Sequence, residues 1–386
     1  MEAQKSDPVQ QRQRLAEVAR VFGKLGIIGF GGPAAHIAMM EEEVVRRRGW
    51  MDHQHFLDLV GATNLIPGPN STEMTMHCGK ERAGWKGLVV AGCCFILPAV
   101  LITAAFAWAY QKWGQLPQVA PFLYGIKPAI IAVIAAAAYT LGKKALKTVT
   151  LGMIGAAALV AVLAGLNEIA VLFGAGAVGM ILYAVQRGKA SAQGIVPFVL
   201  LQALPYAALS PGKLFWIFLK IGAVLYGSGY VLFGFLDAAL VERGWLTQQQ
   251  LIDAVAVGQF TPGPVFSAAT FIGWQIGGAP GAAAATVGIF LPSFLFVALL
   301  NPLIPKLRKS GLMAAFLDTV NVASVAIILG VCVEMTRAAV TDWRTALIGA
   351  FSLVVVFGFR KINTSLVVLG GALLGYLLYV LPIYWQ

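Results

Sequence analysis

The chain has 386 residues, of which 59% are hydrophobic and only 12% are Asp, Glu, Lys or Arg, against roughly 25% charged in an ordinary soluble domain. With a mean hydropathy of +0.78 there is too little polar surface to coat a globule of this size, so the composition excludes a soluble protein and requires a bilayer. The net charge of +11 would suggest nucleic acid for a water-soluble chain. Here the basic residues stand singly or in threes between apolar stretches, the pattern of cytoplasmic loops, and no nucleic-acid partner is expected.

Residues 1–20 are polar and charged with no apolar centre, which predicts a retained cytoplasmic segment rather than a cleaved signal peptide. Apolar stretches follow at about 21–40, 56–78, 86–110, 121–141, 150–166, 169–187 and 195–209, then at about 214–236, 250–275, 280–300, 314–335, 343–358 and 363–381. Thirteen such segments at about 20 residues each take up most of the chain. The predicted fold class is an all-α polytopic membrane protein with no room for a soluble domain. Cys78, Cys93, Cys94 and Cys332 lie in or beside apolar segments without paired spacing and read as core thiols. His53 and His55 have no further ligand nearby in sequence and are expected in a solvated loop or helix start, so neither metal nor cofactor is expected. Trp50, Trp85, Trp108, Trp113, Trp245 and Trp343 mostly flank apolar segments, as interfacial anchors do.

The chain repeats itself. Phe22, Lys24, Gly26 and Gly31 recur 196 residues on as Phe218, Lys220, Gly222 and Gly227. Arg48-Gly49-Trp50, Asp58 and Pro67-Gly68-Pro69 recur 195 residues on as Arg243-Gly244-Trp245, Asp253 and Pro262-Gly263-Pro264. Leu97-Pro98, Asn167 and Tyr183 find Leu291-Pro292, Asn363 and Tyr379 in the same order. The expected organisation is a cytoplasmic segment (1–20), a first repeat (21–190), a linking segment (191–212) and a second repeat (213–386). Six segments per repeat with one unpaired between them would invert the second repeat relative to the first. Loop charges agree: 79–87 carries Lys80, Arg82 and Lys86 while 273–281 carries none, and 111–120 has only Lys112 while 301–312 has Lys306, Arg308 and Lys309. Arg187 and Lys189 end the first repeat, and no Lys or Arg lies in 379–386, which fits an N-in, C-out chain. Arg46, Arg47 and Arg48 fall on the wrong side of this scheme; the adjacent Glu41, Glu42 and Glu43 make the local segment neutral, and a re-entrant rather than spanning first segment is the other account.

Both repeats carry broken helices. The first segment is interrupted by Gly29-Phe30-Gly31-Gly32-Pro33 and its mate by Gly227-Ser228-Gly229; the second breaks at Pro67-Gly68-Pro69 and its mate at Pro262-Gly263-Pro264. Prolines there remove donors and clash with the preceding turn, and backbone freed at that depth is tolerated only where it is buried in protein or lines a cavity. Matched interruptions in two repeats point to a transporter's binding site. After Pro69 come Asn70, Ser71, Thr72 and Glu73, and after Pro264 come Val265, Phe266 and Ser267. A helix start there offers free N–H groups, partial positive charge and hydroxyls, which suits a tetrahedral oxyanion. The candidate substrate site takes Gly31, Gly32, His36, Asn64, Pro67, Gly68, Pro69, Asn70, Ser71 and Thr72 from the first repeat, and Ser228, Gln259, Gly263 and Ser267 from the second. Lys24 and Lys220, at one repeat position, would draw a dianion inward or snorkel to the interface. Glu73, Asp58 and Asp253 are candidate proton carriers; Asp58 and Asp253 serve equally as clamps for Arg48 and Arg243. His36 is a relay candidate or a packing residue.

At these residues the sequence resembles the chromate ion transporter (CHR) family. The resemblance lies in Phe30-Gly31-Gly32-Pro33-Ala34-Ala35-His36-Ile37, Arg48-Gly49-Trp50, Leu65-Ile66-Pro67-Gly68-Pro69-Asn70-Ser71-Thr72 and the Gly79 to Gly87 stretch, with a second copy at Gly244-Trp245 and Thr261-Pro262-Gly263-Pro264. It covers essentially the whole chain and matches the long two-domain form. It implies export of chromate from the cytoplasm across a bacterial inner membrane, driven by membrane potential or a proton gradient, and chromate resistance. Sulfate is the natural look-alike, lipid the surrounding partner, and a homodimer an assembly compatible with the reading. A sulfate or other oxyanion carrier and an anion channel are the alternatives; no enzyme constellation is legible. The second repeat departs from the motif, with Tyr226-Gly227-Ser228-Gly229 for Phe30-Gly31-Gly32-Pro33 and Val265-Phe266 for Asn70-Ser71, so most ligand contacts are expected from the first repeat.

Overall fold

The computed structural model describes residues 8–114, 116, 118–186, 210–226, 229–300, 310–359 and 362–380. The expected stretch at 195–209, Arg187, Lys189, Gly227, Ser228, and the basic loop with Lys306, Arg308 and Lys309 lie outside the described residues. Among the described residues all regular structure is helical.

α1 (Pro8–Ile28) ends at the Gly29–Gly31 interruption, and α2 (Gly32–Met40) begins with Pro33 in its first turn, where the fixed φ of proline suits a helix start. α2 continues as a π-helix over Glu41–Arg47. α1 and this second limb lie antiparallel: Lys24 Nζ is 2.9 Å from Glu43 Oε1, Glu17 Oε1 is 3.7 Å from Arg48 Nη1, and Phe22 packs on Trp50. Positive φ at Gly31 (103°) and Gly32 (77°) makes the reversal. The first apolar stretch is thus a helical hairpin, and that geometry puts Arg46–Arg48 at the same end as the start of α1.

α3 (His53–Thr63), capped by Asp52, and the first limb of α4 (Asn70–Trp113) form a second hairpin. Asn70 Nδ2 donates to Asn64 Oδ1 at its tip (2.7 Å), while His55 Nε2 and Glu81 Oε2 are 3.3 Å apart at its base. α4 then reverses within two residues, Ala83 and Gly84 (φ 64°, ψ −153°). Gly79 and Gly87 touch across this turn: a Cβ on Gly87 would sit 2.1 Å from the Gly79 carbonyl oxygen. The stretch 79–87, expected as a charged loop, is therefore mostly helix. Its turn meets the start of α1, where Gln11 donates to the Ala83 carbonyl and Arg82 pairs with Glu17 at 2.7 Å.

The long limb 85–113 runs away from that end to α5 (Ala120–Ala145), α6 (Val149–Leu163) and α7 (Glu168–Gln186). The second half repeats the pattern with α8 (Pro211–Val224), α9 (Val231–Leu236) and its π-helical extension Asp237–Val241, α10 (Gln248–Phe260), a short 3-10 turn at Val265–Ser267, and α11 (Ala268–Leu300). α12 (Gly311–Ala339), α13 (Trp343–Gly358) and α14 (Thr364–Val380) follow. α11 reverses at Gly277 and Gly278 (φ 59°, ψ −152°), nearly the angles of Ala83 and Gly84, and Gly273 and Gly281 touch as Gly79 and Gly87 do. Yet this second turn lies at the other end of limb 85–113: Trp274 Nε1 donates to Gln111 Oε1 and Gln275 Nε2 to the Ala107 carbonyl. Among the described residues five helices are long and apolar enough to cross a membrane, Asn70–Trp113, Ala120–Ala145, Glu168–Gln186, Val265–Leu299 and Gly311–Ala339.

α1–α4 pack on α8–α11, while α5–α7 interleave with α12–α14. At the centre the two halves hold each other by matching bonds. Gly68 N–H donates to the Leu225 carbonyl and Gly263 N–H to the Gly29 carbonyl, both at 2.8 Å. Leu225 is the repeat mate of Gly29, so each Pro-Gly-Pro tip plugs into the other repeat's first break. Such buried bonds add only about 1 kcal/mol each, but leaving one group unpaired costs about 1–3 kcal/mol, which favours one register between the halves.

Candidate functional site

The first Pro-Gly-Pro tip is buried, and so are the residues that follow it: Ser71 is 2% exposed and Thr72, Glu73 and Thr75 are fully buried. Thr75 Oγ1 donates back to the Ser71 carbonyl (2.9 Å), the ordinary use of a helical hydroxyl. Thr72 Oγ1 and both carboxylate oxygens of Glu73 make no hydrogen bond. Ser293 of α11, also fully buried, has an unpartnered Oγ. Glu73 and Ser293 converge on Gly68 (φ 136°): a Cβ there would lie 2.2 Å from Glu73 Oε1 and 2.4 Å from Ser293 Oγ. Tyr226 lies close enough to Glu73 to interact electrostatically. Unsatisfied buried polar atoms are rare because each forfeits its solvation, and a group of them needs an occupant or an account.

The second tip is built differently. Thr103 Oγ1 of the long limb lies within hydrogen-bond distance of Thr261 Oγ1 (3.4 Å) and Ser267 Oγ (3.2 Å), and Thr261 Oγ1 donates to the Val257 carbonyl. Glu73 corresponds to Ala268 here, and Ser293 to Ala99, whose Cβ lies 2.9 Å from the position of a Cβ on Gly263. Gln259 accepts from Tyr230 through Oε1 (3.3 Å) and leaves Nε2 unpartnered. One break thus carries a carboxylate and free hydroxyls, the other a mutually bonded hydroxyl set.

The other candidates fall around these tips. His36 is buried, edge-on to Phe95, with Nε2 2.9 Å from the Gly29 carbonyl. A carbonyl only accepts, so Nε2 carries the hydrogen. His36 thereby fastens the same oxygen that receives Gly263 N–H. Lys24 is committed to Glu43, which also meets Arg47 and Arg48, so a direct ion pair with an anion would require Glu43 to be displaced. Lys220 is half-buried on α8, with no carboxylate in ion-pair reach among the described residues. Asn64 is exposed and closes the hairpin tip through Asn70, and Gly31 and Gly32 shape the first reversal. Ser228 lies outside the described residues.

The paired aspartates diverge. Asp253 is buried on α10, accepts from Tyr110 at 2.6 Å and lies 3.5 Å from Lys127, so it ties α10 to the long limb and α5. Asp58 is half-buried on α3. Arg48, expected beside Asp58, meets Glu17 and Glu43, because the first hairpin brings α1 alongside it. Sequence reasoning missed Ser293, Thr103, Tyr226 and His77. Ser293 was detectable as the one hydroxyl that replaces an alanine in the repeat copy of Leu97-Pro98-Ala99.

An all-helical chain with several membrane-crossing helices, whose buried tips meet at paired breaks, is a multi-pass membrane protein of the transporter class. The chain matches the chromate transporter family twice, over residues 16–180 and 212–376, and belongs to that family in its two-domain form. It is 32% identical over 378 residues to a chromate transport protein of Cupriavidus metallidurans, covering 95% of this chain and 94% of that one. It is 30% identical over 374 residues to a probable chromate transport protein of Synechococcus elongatus, covering 94% and 95%. A chromate transport protein of Pseudomonas aeruginosa is 29% identical over 379 residues, covering 93% and 91%. No solved structure matches.

Proposed function

We propose that this chain is a secondary carrier that exports chromate from the cytoplasm across a bacterial inner membrane and so confers chromate resistance, with sulfate as its competing cargo. The observation that carries the reading is the buried meeting of the two repeats' helix breaks, where a helix start, unpartnered hydroxyls and a carboxylate share one small volume. The first-repeat set of Asn70, Ser71 and Thr72, with Ser293 facing it, coordinates the oxyanion; Lys24 and Lys220 attract it from either side. Membership of the family and the names of its relatives support chromate as cargo.

An inverted arrangement of the repeats is supported by the two reversals, alike in backbone angles but at opposite ends of limb 85–113. With Arg46–Arg48, Lys80, Arg82 and Lys86 together at one end, that end is cytoplasmic by charge. Energetically, an inside-negative potential suffices for export. Moving a dianion out gains about 4.6 kcal/mol per 100 mV, twice the single-charge value, which sustains a gradient of about a thousand-fold. A bare carboxylate at Glu73 repels a neighbouring dianion, so proton and anion occupancy rise together; the cycle then moves one net negative charge outward and still runs on potential.

The test is uptake of labelled chromate and labelled sulfate into inverted membrane vesicles, with potential and proton gradient imposed separately. Saturable chromate uptake driven by a lumen-positive potential and inhibited by sulfate is expected. Potential-independent uptake overturns the export mechanism, and non-saturating flux identifies a channel.

A further inference from the structure

His77 lies on limb 70–82 one helical turn beyond Glu73, on the same face and on the side towards Lys80. It is 1% exposed and its Nε2 makes no hydrogen bond; Glu73 is fully buried and neither carboxylate oxygen makes one. In the proposed function the hydroxyls of Thr72 and Ser293 serve the anion and Glu73 the proton, which leaves an imidazole a turn away without a role. Packing does not account for it either, since an apolar side chain would fill the position without leaving a ring nitrogen unpaired. At i and i+4 the two side chains start about 6 Å apart, within reach of each other through ordinary rotamers. Ser293 and Tyr226 face Glu73 from α11 and from the break after α8, and Lys80 acts on His77 from its own limb. From α2, the Met40 sulfur lies 3.6 Å from the Thr75 hydroxyl oxygen.

We propose that His77 relays protons between Glu73 and the Lys80 end of the limb, so that the Glu73 carboxylate is charged and discharged from the face where Lys80 lies. The inference rests on the reading of Glu73 as the proton carrier of an anion carrier. In the step, the proton on His77 Nε2 passes to a Glu73 carboxylate oxygen while Nδ1 takes up another from the Lys80 end. The ring is neutral before and after, Glu73 becomes a carboxylic acid, and one proton has crossed the turn that separates the anion site from that face. Discharge is the reverse. The second repeat has Ile272 and Ala268 at the equivalent positions, so this path exists in one repeat only and serves the face where Lys80 lies.

The experiment uses the full chain in proteoliposomes with a pH-sensitive dye in the lumen and labelled chromate outside, so that proton and chromate movements are read in the same vesicles. Wild type is expected to show proton movement that depends on chromate. His77→Asn should slow that proton movement by about ten-fold or more, the scale of a lost proton-transfer group, and His77→Ala should recover it in millimolar imidazole, which a merely structural loss would not. In a Glu73→Gln background, His77→Asn should cause no additional change in chromate flux. Unchanged proton movement in His77→Asn, or an undiminished effect of His77→Asn in the Glu73→Gln background, overturns the relay. If wild-type vesicles move no chromate, the chromate reading fails on its own account, and the same His77 variants are read with labelled sulfate.

Discussion

Gly68 makes room for the Glu73 carboxylate and the Ser293 hydroxyl because it has no side chain, and its φ of 136° is one that L residues with a Cβ rarely adopt. The tip therefore has two polar groups where any other residue would place a methyl. A hydroxyl bonded to a charged acceptor contributes about 1.5–3 kcal/mol, so Ser71→Ala or Thr72→Val should raise the half-saturation concentration for chromate about ten-fold or more. Ser293→Ala should do the same, while Ala99→Ser at its mate should not. Unchanged affinity in both Ser71→Ala and Thr72→Val, measured in vesicle uptake, removes these hydroxyls from the site. The sequence exposed Ser71, Thr72 and Glu73 because they follow a proline break. It hid Ser293 and the Lys24–Glu43 pair because each depends on chain segments that meet only in the fold. For Lys24, the expected free cation becomes a partner shared with Glu43, so Lys24→Ala should slow transport more than it weakens binding.

At the scale of elements, glycine and proline spacing located the interruptions at 29–33, 67–69 and 262–264, but not the direction the chain takes after them. A Pro-Gly-Pro can kink a helix or end one limb of a hairpin; only pairs such as His55–Glu81 and Lys24–Glu43 decide, and these join residues with no local pattern in common. The charges of Lys80, Arg82 and Lys86 likewise suggested a loop at 79–87, whereas the helix carries them up to a two-residue turn. That turn and its mate allow a comparison within one molecule. Gly84 and Gly278 share φ near 60° and ψ near −150°, a region only glycine enters freely, and a Cβ on either would meet nothing within 4 Å. Gly84→Ala and Gly278→Ala should therefore each cost about 1–3 kcal/mol from backbone strain alone and lower the melting temperature in detergent by similar amounts. A large difference between them would mean that the two turns are not equivalent. Pro67→Ala with Pro69→Ala should impair transport more than stability, because helix continued through the tip would withdraw Gly68 N–H from Leu225, and the Pro262, Pro264 pair should behave alike but more mildly.

Across the whole molecule, the arrangement of the repeats in the membrane decides how one site can face two sides. The bonds Gly68 to Leu225 and Gly263 to Gly29 are reciprocal between the halves, and with the two reversals at opposite ends of limb 85–113 they support the proposed opposite orientation of the repeats, which labelling tests. The two reversals offer exposed positions for labelling at Lys86 and Ala279, and Arg46 lies at the base of the first hairpin. In a background lacking Cys78, Cys93, Cys94 and Cys332, single cysteines at Lys86, Arg46 and Ala279 should separate by side. Lys86→Cys and Arg46→Cys should react with a membrane-impermeant maleimide only in inverted vesicles, and Ala279→Cys only in intact cells. Arg46 carries the strongest constraint, since a first segment that crossed the membrane once would move it to the side of Ala279, and only a re-entrant hairpin keeps it with Lys86. Labelling of Lys86→Cys and Ala279→Cys from one side would show that the repeats run parallel, and the carrier would then need a different way to expose its site alternately.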